Sequence, residues 1–425
     1  MSGETLTLPE AGETGRVPPG YKQTEVGVIP EDWGTCELQD LGRWLGGATP
    51  SMGNVAYWSN GNAPWASSGD VKVSLLNTTQ QKITDVAVKE TSTILLPTDS
   101  IIVVTRSGIL RKYLPVAKNL VPMAINQDLK ALLPNRSVDP DFVLHQLIGH
   151  GPKILATCQK SGTTVESIEF TWLKLFRIPL PPLPEQRAIA AALSDVDDMI
   201  SSLERLISKK RAVKTAAMQQ LLTGKRRLPG FSGEWETKRL GEVVERIVGG
   251  GTPSRANPAY WGNEIPWVTV KDFATFDPQQ TQESITEVGL KHSASNLIPK
   301  GTLITSTRMA LGKAVIYEVD VSINQDLKAI YPSSDTNSRF LYYWFEYNSA
   351  HIESLGSGST VKGISLHDLR NVEFLAAPLE EQTAIATVLS DMDAEIEALE
   401  ARREKTRRIK QGMMQELLTG RTRLA

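Results

Sequence analysis

Apolar residues recur at alternating steps of four and three in two long stretches of the chain. Ile189, Leu193, Val196, Ile200 and Leu203 form the first seam; Ile385, Leu389, Met392, Ile396 and Leu399 form the second. This spacing is the apolar stripe of a coiled coil. Proline stands near the start of each stretch, and Gly224 and Gly420 follow Leu-Leu-Thr at the ends. These are helix start and stop signals. Each stretch predicts a helix of about 39 residues, ~58 Å long at ~1.5 Å per residue. Few globular helices are so long, which points to a spacer or scaffold. The seam weakens at Lys210 and Arg403.

The two stretches are copies: residues 184–228 align with 380–424 without a gap. The copying continues outside them. GGATPSMGNVAYW (46–58) matches GGGTPSRANPAYW (249–261), and INQDLKAL (125–132) matches INQDLKAI (323–330). One unit, a globular part followed by a helix, is therefore duplicated, which implies a pseudo-twofold repeat. Within the globular parts, β-branched runs at 100–108 and 301–319 predict strands, and residues 141–159 and 338–355 carry helical periodicity. Each globular part is read as mixed α+β. Lys225 to Gly233 joins the first helix to the second globular part. Those residues reach at most ~32 Å, too little to return along a ~58 Å helix. The helices should therefore run antiparallel, with one globular domain at each end.

Charge bears on the same point. The first half of each helix is acidic, and residues 205–227 and 401–423 carry eight Lys/Arg each. Two readings stay open: acidic halves packed beside basic halves, or matching of each helix macrodipole. At 425 residues, with 40% hydrophobic and 22% charged content, the chain suggests two to three domains with ample core. It has no apolar span near the ~20 residues of a membrane helix. The start lacks a basic, then apolar, leader and reads as a mobile arm over 1–29. Net charge is −2, so any case for nucleic acid must be local. Cys36 and Cys158 read as buried thiols in a reducing cytoplasm.

Catalytic chemistry is hard to find. Asn257-Pro258-Ala259-Tyr260 looks like the tetrad with which DNA adenine methyltransferases grip an amino group, but the second proline is missing and no glycine-rich cofactor loop accompanies it. Gly312-Lys313-Ala314 lacks the rest of a phosphate loop, and Glu236-Thr237-Lys238 lacks the Pro-Asp of a nuclease. His145, His150, His292, His351 and His367 form no metal-ligand spacing, and none is expected. The chain reads as a binding protein without its own active site.

Two loop types recur and are the candidate contacts. The first carries Arg106, Ser107, Arg111 and Lys112, matched by Arg308 and Lys313; an arginine among hydroxyl residues reaches phosphates or the O6/N7 edge of guanine. The second carries Lys160, Ser161 and Thr163, matched by Ser359, Thr360 and Lys362; glycine and small hydroxyl residues offer backbone N–H groups to phosphate. The alternative for either loop is a solvated turn. Trp58, Trp65, Trp261 and Trp267 read as core rather than as stacking platforms.

Taken together, GYKQTEVGVIPEDW (20–33), the GGxTPS openings, the two INQDLKA segments and LPEQRAIAAALSDVD…LLTGKRRL with its repeat resemble the specificity subunit of type I restriction-modification enzymes over nearly the whole chain. The resemblance implies an arm (1–29), target-recognition domains at 30–182 and 225–378, and spacer helices at 183–224 and 379–425. It implies that each domain reads half of a bipartite, asymmetric site in double-stranded DNA. It further implies docking of two modification (methyltransferase) subunits and of motor-nuclease restriction subunits. S-adenosylmethionine and Mg-ATP would belong to those partners, with no cofactor in this chain, no membrane and a cytoplasmic location. Two other classes remain to be weighed: a coiled-coil scaffold that binds no DNA, and a free-standing methyltransferase.

Overall fold

The computed structural model describes residues 17–160, 164–358 and 362–424. The chain divides into two compact units, residues up to 204 together with 402–425, and residues 205–401. The boundary cuts both long helices, Leu183–Leu221 and Leu379–Leu417. Each unit therefore holds one globular part, the first half of the helix that follows it, and the second half of the other helix.

Within each unit the two half-helices are antiparallel. In the first, as residue numbers rise through Glu185, Asp197 and Glu204, their partners fall through Arg423, Lys410 and Arg407. In the second, Arg211, Lys214 and Arg227 meet Glu400, Asp393 and Glu381. The acidic halves thus lie beside basic halves. The exposed pairs contribute little to stability, each about 0–1 kcal/mol; their value is in register.

The first unit opens on a hairpin, Tyr21–Thr24 with Gly27–Pro30, and Ile29 is buried against Trp33. This corrects the expected arm of 1–29 at its C-terminal end: residues 21–29 belong to a hairpin that packs into the first unit. A five-stranded sheet follows in the order Gly42–Gly46, Leu129–Pro134, Ile101–Val104, Val116–Asn119, Leu75–Leu76, antiparallel except at its last pair. A three-stranded sheet, Ala124–Ile125, Ala63–Ala66 and Gln81–Ile83, lies beside it in sequence. The second unit repeats the plan: Val244–Gly249, Leu327–Pro332, Leu303–Ser306 and Ala314–Ile316 in one sheet, and Glu283–Ile285, Trp261–Val268, Val321–Ile323 and Leu297–Ile298 in the other.

The helical segment differs between the units for a local reason. Ser338–Leu355 is one helix, whereas its counterpart breaks into Pro140–Gly149 and Gly151–Cys158. Pro152 there removes an N–H and crowds the preceding turn, and flanking glycines lower the cost of the bend. Asp139 and Asn337 cap these helices by accepting N–H bonds from the first turn.

The long-helix seams are buried or half-buried, and their first positions are shared three ways. Ile189 and Leu193 pack with Phe142, Trp33 and Leu417; Ile385 and Leu389 pack with Phe340, Phe374 and Leu221. Leu203 and Ile396 are buried, while Val196, Ile200, Met392 and Leu399 are half-buried. Where the seam weakens, Lys210 reaches Glu395.

Two matching positions carry different polar chemistry. Tyr343 Oη lies 2.8 Å from Asp393 and 3.1 Å from Ser390. Its counterpart, His145, is buried with Nε2 3.3 Å from Ser194 Oγ. Burial, with the Lys410 charge adding to it, pushes this imidazole down to about 4. The folded state stays neutral while the unfolded chain takes up a proton below ~6.5, so the contribution is full above ~6.5 and is lost as pH falls towards 4. Relative to His145→Gln, the native chain should lose on the order of 3 kcal/mol of stability across that window. Parallel denaturant titrations of the two proteins from pH 7.5 to 4.5 measure it; curves that keep a constant separation would remove His145 as the cause.

Candidate nucleic-acid interface

The GGxTPS segments are laid against the INQDLK turns in both units. Ala48 N–H donates to Ile125 O, and Gly251 N–H to Ile323 O, at 3.0 Å each. A Cβ on Gly47 or Gly250 would overlap the carbonyl of Asn126 or Ile323, which is why glycine stands there. The tryptophans hold the same segments from behind. Trp65 and Trp267 are buried and donate their indole N–H to Ala48 O and Gly251 O, each at 3.0 Å. Trp58 and Trp261 donate to Ser51 O and Ser254 O at 3.1 and 3.2 Å. Each unit's pair meets edge to face at 5.1 Å, so these rings act as packing groups.

The front of each segment is polar. Thr49 Oγ1 donates to Gln127 Oε1, and Thr252 Oγ1 to Gln325 Oε1, at 2.6 Å in both units. Asp128 and Asp326 follow in an Asx turn closed by Asn126 and Asn324. Arg106 and Arg308 reach towards these aspartates at 4.0 and 3.9 Å, with 62% and 59% of each side chain exposed. At that separation the guanidinium is oriented without being consumed by a direct hydrogen bond. Lys130 and Lys328 close the group by donating to Gln127 O and Gln325 O at 3.3 and 2.7 Å; burial holds the Lys328 ammonium below its usual range.

The first candidate loop lies against the described residues that follow the second. Arg106 bridges to Ser167 and Arg308 to Gly363; Ser107 N–H donates to Glu166 O, and Met309 N–H to Lys362 O. The loop cations are not equivalent. Arg111 is paired with Glu166, and Lys160 with Glu169 at 3.0 Å, so each would have to exchange a carboxylate for phosphate. Ser107 caps the short helical turn Gly108–Arg111. Lys112, Lys313 and Lys362 are exposed. Ser161, Thr163, Ser359 and Thr360 lie outside the described residues. Sequence reasoning passed over Thr49, Gln127, Asp128 and Lys130 and their counterparts, although the doubled GGxTPS and INQDLK motifs were the available signal.

The remaining motifs are structural. Asn257 caps a single turn at Pro258–Tyr260 by accepting from Ala259 N–H. Lys238 pairs with Glu236 and Asp335. Among the described residues no cluster of His, Cys, Asp and Glu could hold a metal ion, and no helix is long and apolar enough to cross a membrane. Both cysteines are free; Cys158 is buried, Cys36 is half-buried, and burial pushes the Cys36 thiol up to about 12.

The repeated fold and its polar ridge define a duplicated recognition scaffold, and comparison with known proteins gives its class. The family model described as the type I restriction modification DNA specificity domain matches residues 30–210 and 232–407. The chain belongs to this family, whose members recognise DNA target sequences, and two copies of the domain fit a target read in two parts. It is 37% identical to the EcoR124I/EcoR124II specificity subunit of Escherichia coli over 43% of this chain and 44% of that one, less than half of either. It is 27% identical to the putative MjaX specificity subunit of Methanocaldococcus jannaschii over 95% of this chain and 97% of that one. The crystal structure of the type I restriction-modification S subunit from M. genitalium has the same fold, with a TM-score of 0.59 at 16% identity, covering 91% of this chain and 96% of that one.

Proposed function

We propose that this chain is the DNA-reading subunit of a type I restriction-modification assembly, with residues up to 182 and 225–378 as two target-recognition domains for the halves of one asymmetric, bipartite site. The helices Leu183–Leu221 and Leu379–Leu417, within the segments expected at 183–224 and 379–425, serve as spacers, and the hairpin from residue 21 belongs with the first domain. In this reading the chain carries no active site or cofactor. Methyl transfer with S-adenosylmethionine belongs to two modification subunits, and Mg-ATP-driven cleavage to motor-nuclease subunits, all in the cytoplasm. The observation that carries the reading is the polar ridge of Thr, Gln, Asp, Arg and Lys built twice, with the same Thr–Gln and Lys–Gln hydrogen bonds and the same Arg–Asp approach, on units whose adjoining loops differ.

Residues common to both units cannot distinguish two different half-sites, so Arg106 and Arg308 are assigned to the phosphate backbone, with Lys112, Lys313 and Lys362 as further phosphate contacts. Arg111, Lys160 and Ser107, with Ser161, Thr163, Ser359 and Thr360, remain candidates on the same loops. Arg106→Ala and Arg308→Ala, each assembled with its modification subunits, should weaken binding to all duplex sequences and make the salt dependence shallower by roughly one unit of log–log slope. A loss confined to one base position, ~1–3 kcal/mol, would instead make the arginine a base reader. Salt-insensitive or absent DNA binding by the wild-type assembly would favour the scaffold reading.

A further inference from the structure

The two ridges diverge at one end. In the second unit Arg255 follows Ser254 directly, and its guanidinium carbon sits 3.7 Å from the centre of the Trp261 ring. Glu283, on the strand beside Trp267, takes both terminal nitrogens of Arg255, one at 2.8 Å; this hydrogen bonding holds the Glu283 carboxyl below its usual range. The Arg255 side chain is nevertheless 54% exposed. In the first unit the same two positions are Met52 and Gln81, both exposed, with Gln81 paired to Trp65 as Glu283 is to Trp267. The ridge thus carries the same Thr, Gln, Asp and Arg in both units, and then a fixed cation in one and a neutral pair in the other.

We propose that Arg255 is a specificity-determining residue for the half-site read by the second unit, contacting the O6/N7 edge of a guanine in the major groove. The inference rests on the DNA-reading function above. A guanidinium has five N–H donors in one plane. The carboxylate of Glu283 uses two, leaving the Nε side free to present two parallel donors, the arrangement that guanine accepts. Stacking on Trp261 and the fork to Glu283 restrict the side chain before DNA arrives, so less conformational freedom is lost on contact. An arginine only needed to pin the segment would not have to remain half exposed at the end of a ridge that already faces solvent. Nor is it needed for the fold, because the first unit builds the same Trp pair and the same Thr–Gln bond with methionine in its place.

The test is the methylated-site map of a host carrying this chain with its modification subunits, for the native chain, for the double variant Arg255→Met with Glu283→Gln, and for Arg255→Lys. The double variant copies the first unit's residues. It should relax the requirement for G·C at one position of one half-site, by roughly tenfold to a hundredfold in relative methylation, and leave the other half-site unchanged. Arg255→Lys keeps the charge but loses the planar fork, and should relax the same position. An unchanged map for the double variant overturns the contact, as does full discrimination by lysine. Loss of both half-sites together with a lowered melting temperature would assign Arg255 to folding and overturn it too. A native chain that yields no two-part site would bring down the underlying reading, an outcome visible before any variant is compared.

Discussion

Glu185→Ala is expected to destabilise the first unit by about 3 kcal/mol, the low end for breaking a buried ion pair. Glu185 is buried at the first turn of the helix Leu183–Leu221. Its Oε2 accepts the indole N–H of Trp33 at 2.9 Å, and its two oxygens take Arg423 at 2.8 Å each. Trp33 is fully buried, so truncation leaves an indole N–H with neither acceptor nor water, and a guanidinium short of half its partners. The cost stays at the low end because Arg423 is 28% exposed and keeps Asp32. At ~2–4 °C per kcal/mol for a unit of this size, its melting temperature should fall by roughly 6–12 °C. Glu185→Gln keeps an acceptor for Trp33 and should cost less. The second unit repeats the clamp with Glu381, Arg227 and Trp235, and its transition should not move. Differential scanning calorimetry of the whole chain resolves this; a shift of the first transition below about 2 °C would mean that water replaces the clamp without loss.

Replacing residues 42–134 by residues 244–332 should move a base preference from one half-site to the other. Gly42 pairs with Pro134, and Val244 with Pro332, so the two segments begin and end at equivalent points of the sheet. Each carries a complete ridge, from the GGxTPS segment to the INQDLK turn, with its arginine loop. Trp33, Phe142 and Gln146, which hold the long helices in the first unit, lie outside the graft. The sheet face against Leu144 and Leu147 changes from Ile101, Val103 and Leu132 to Leu303, Thr305 and Ile330, a repacking cost of about 1–3 kcal/mol. The methylated-site map of the graft should lose the first half-site and show the second unit's bases in both halves. A map that keeps the original first half-site would place its specificity outside 42–134, in the loop around 160–167.

The sequence by itself determined the duplication, the two helices and their antiparallel sense. Those are properties of local periodicity and chain reach. Apolar steps of four and three need a helix to form one stripe, Pro and Gly bound it, and the short segment Lys225–Gly233 cannot run back along it. The structure places these helices at Leu183–Leu221 and Leu379–Leu417. The mixed sheets were legible for the same reason, from β-branched runs such as 100–108. What only the tertiary structure decided is which polar groups meet. Glu185 lies in the first turn of one long helix and Arg423 beyond the end of the other, and nothing in their neighbours names one as the other's partner. Thr49 and Gln127, or Arg255 and Glu283, are joined by sheet register and by glycines that let two backbones touch. The same packing gave Arg111 and Lys160 carboxylate partners while leaving Arg106 and Arg308 at the edge of theirs. A side chain's charge is written in the sequence, but its neighbours are set by contacts between distant segments, and those neighbours decide whether the charge is free to meet DNA.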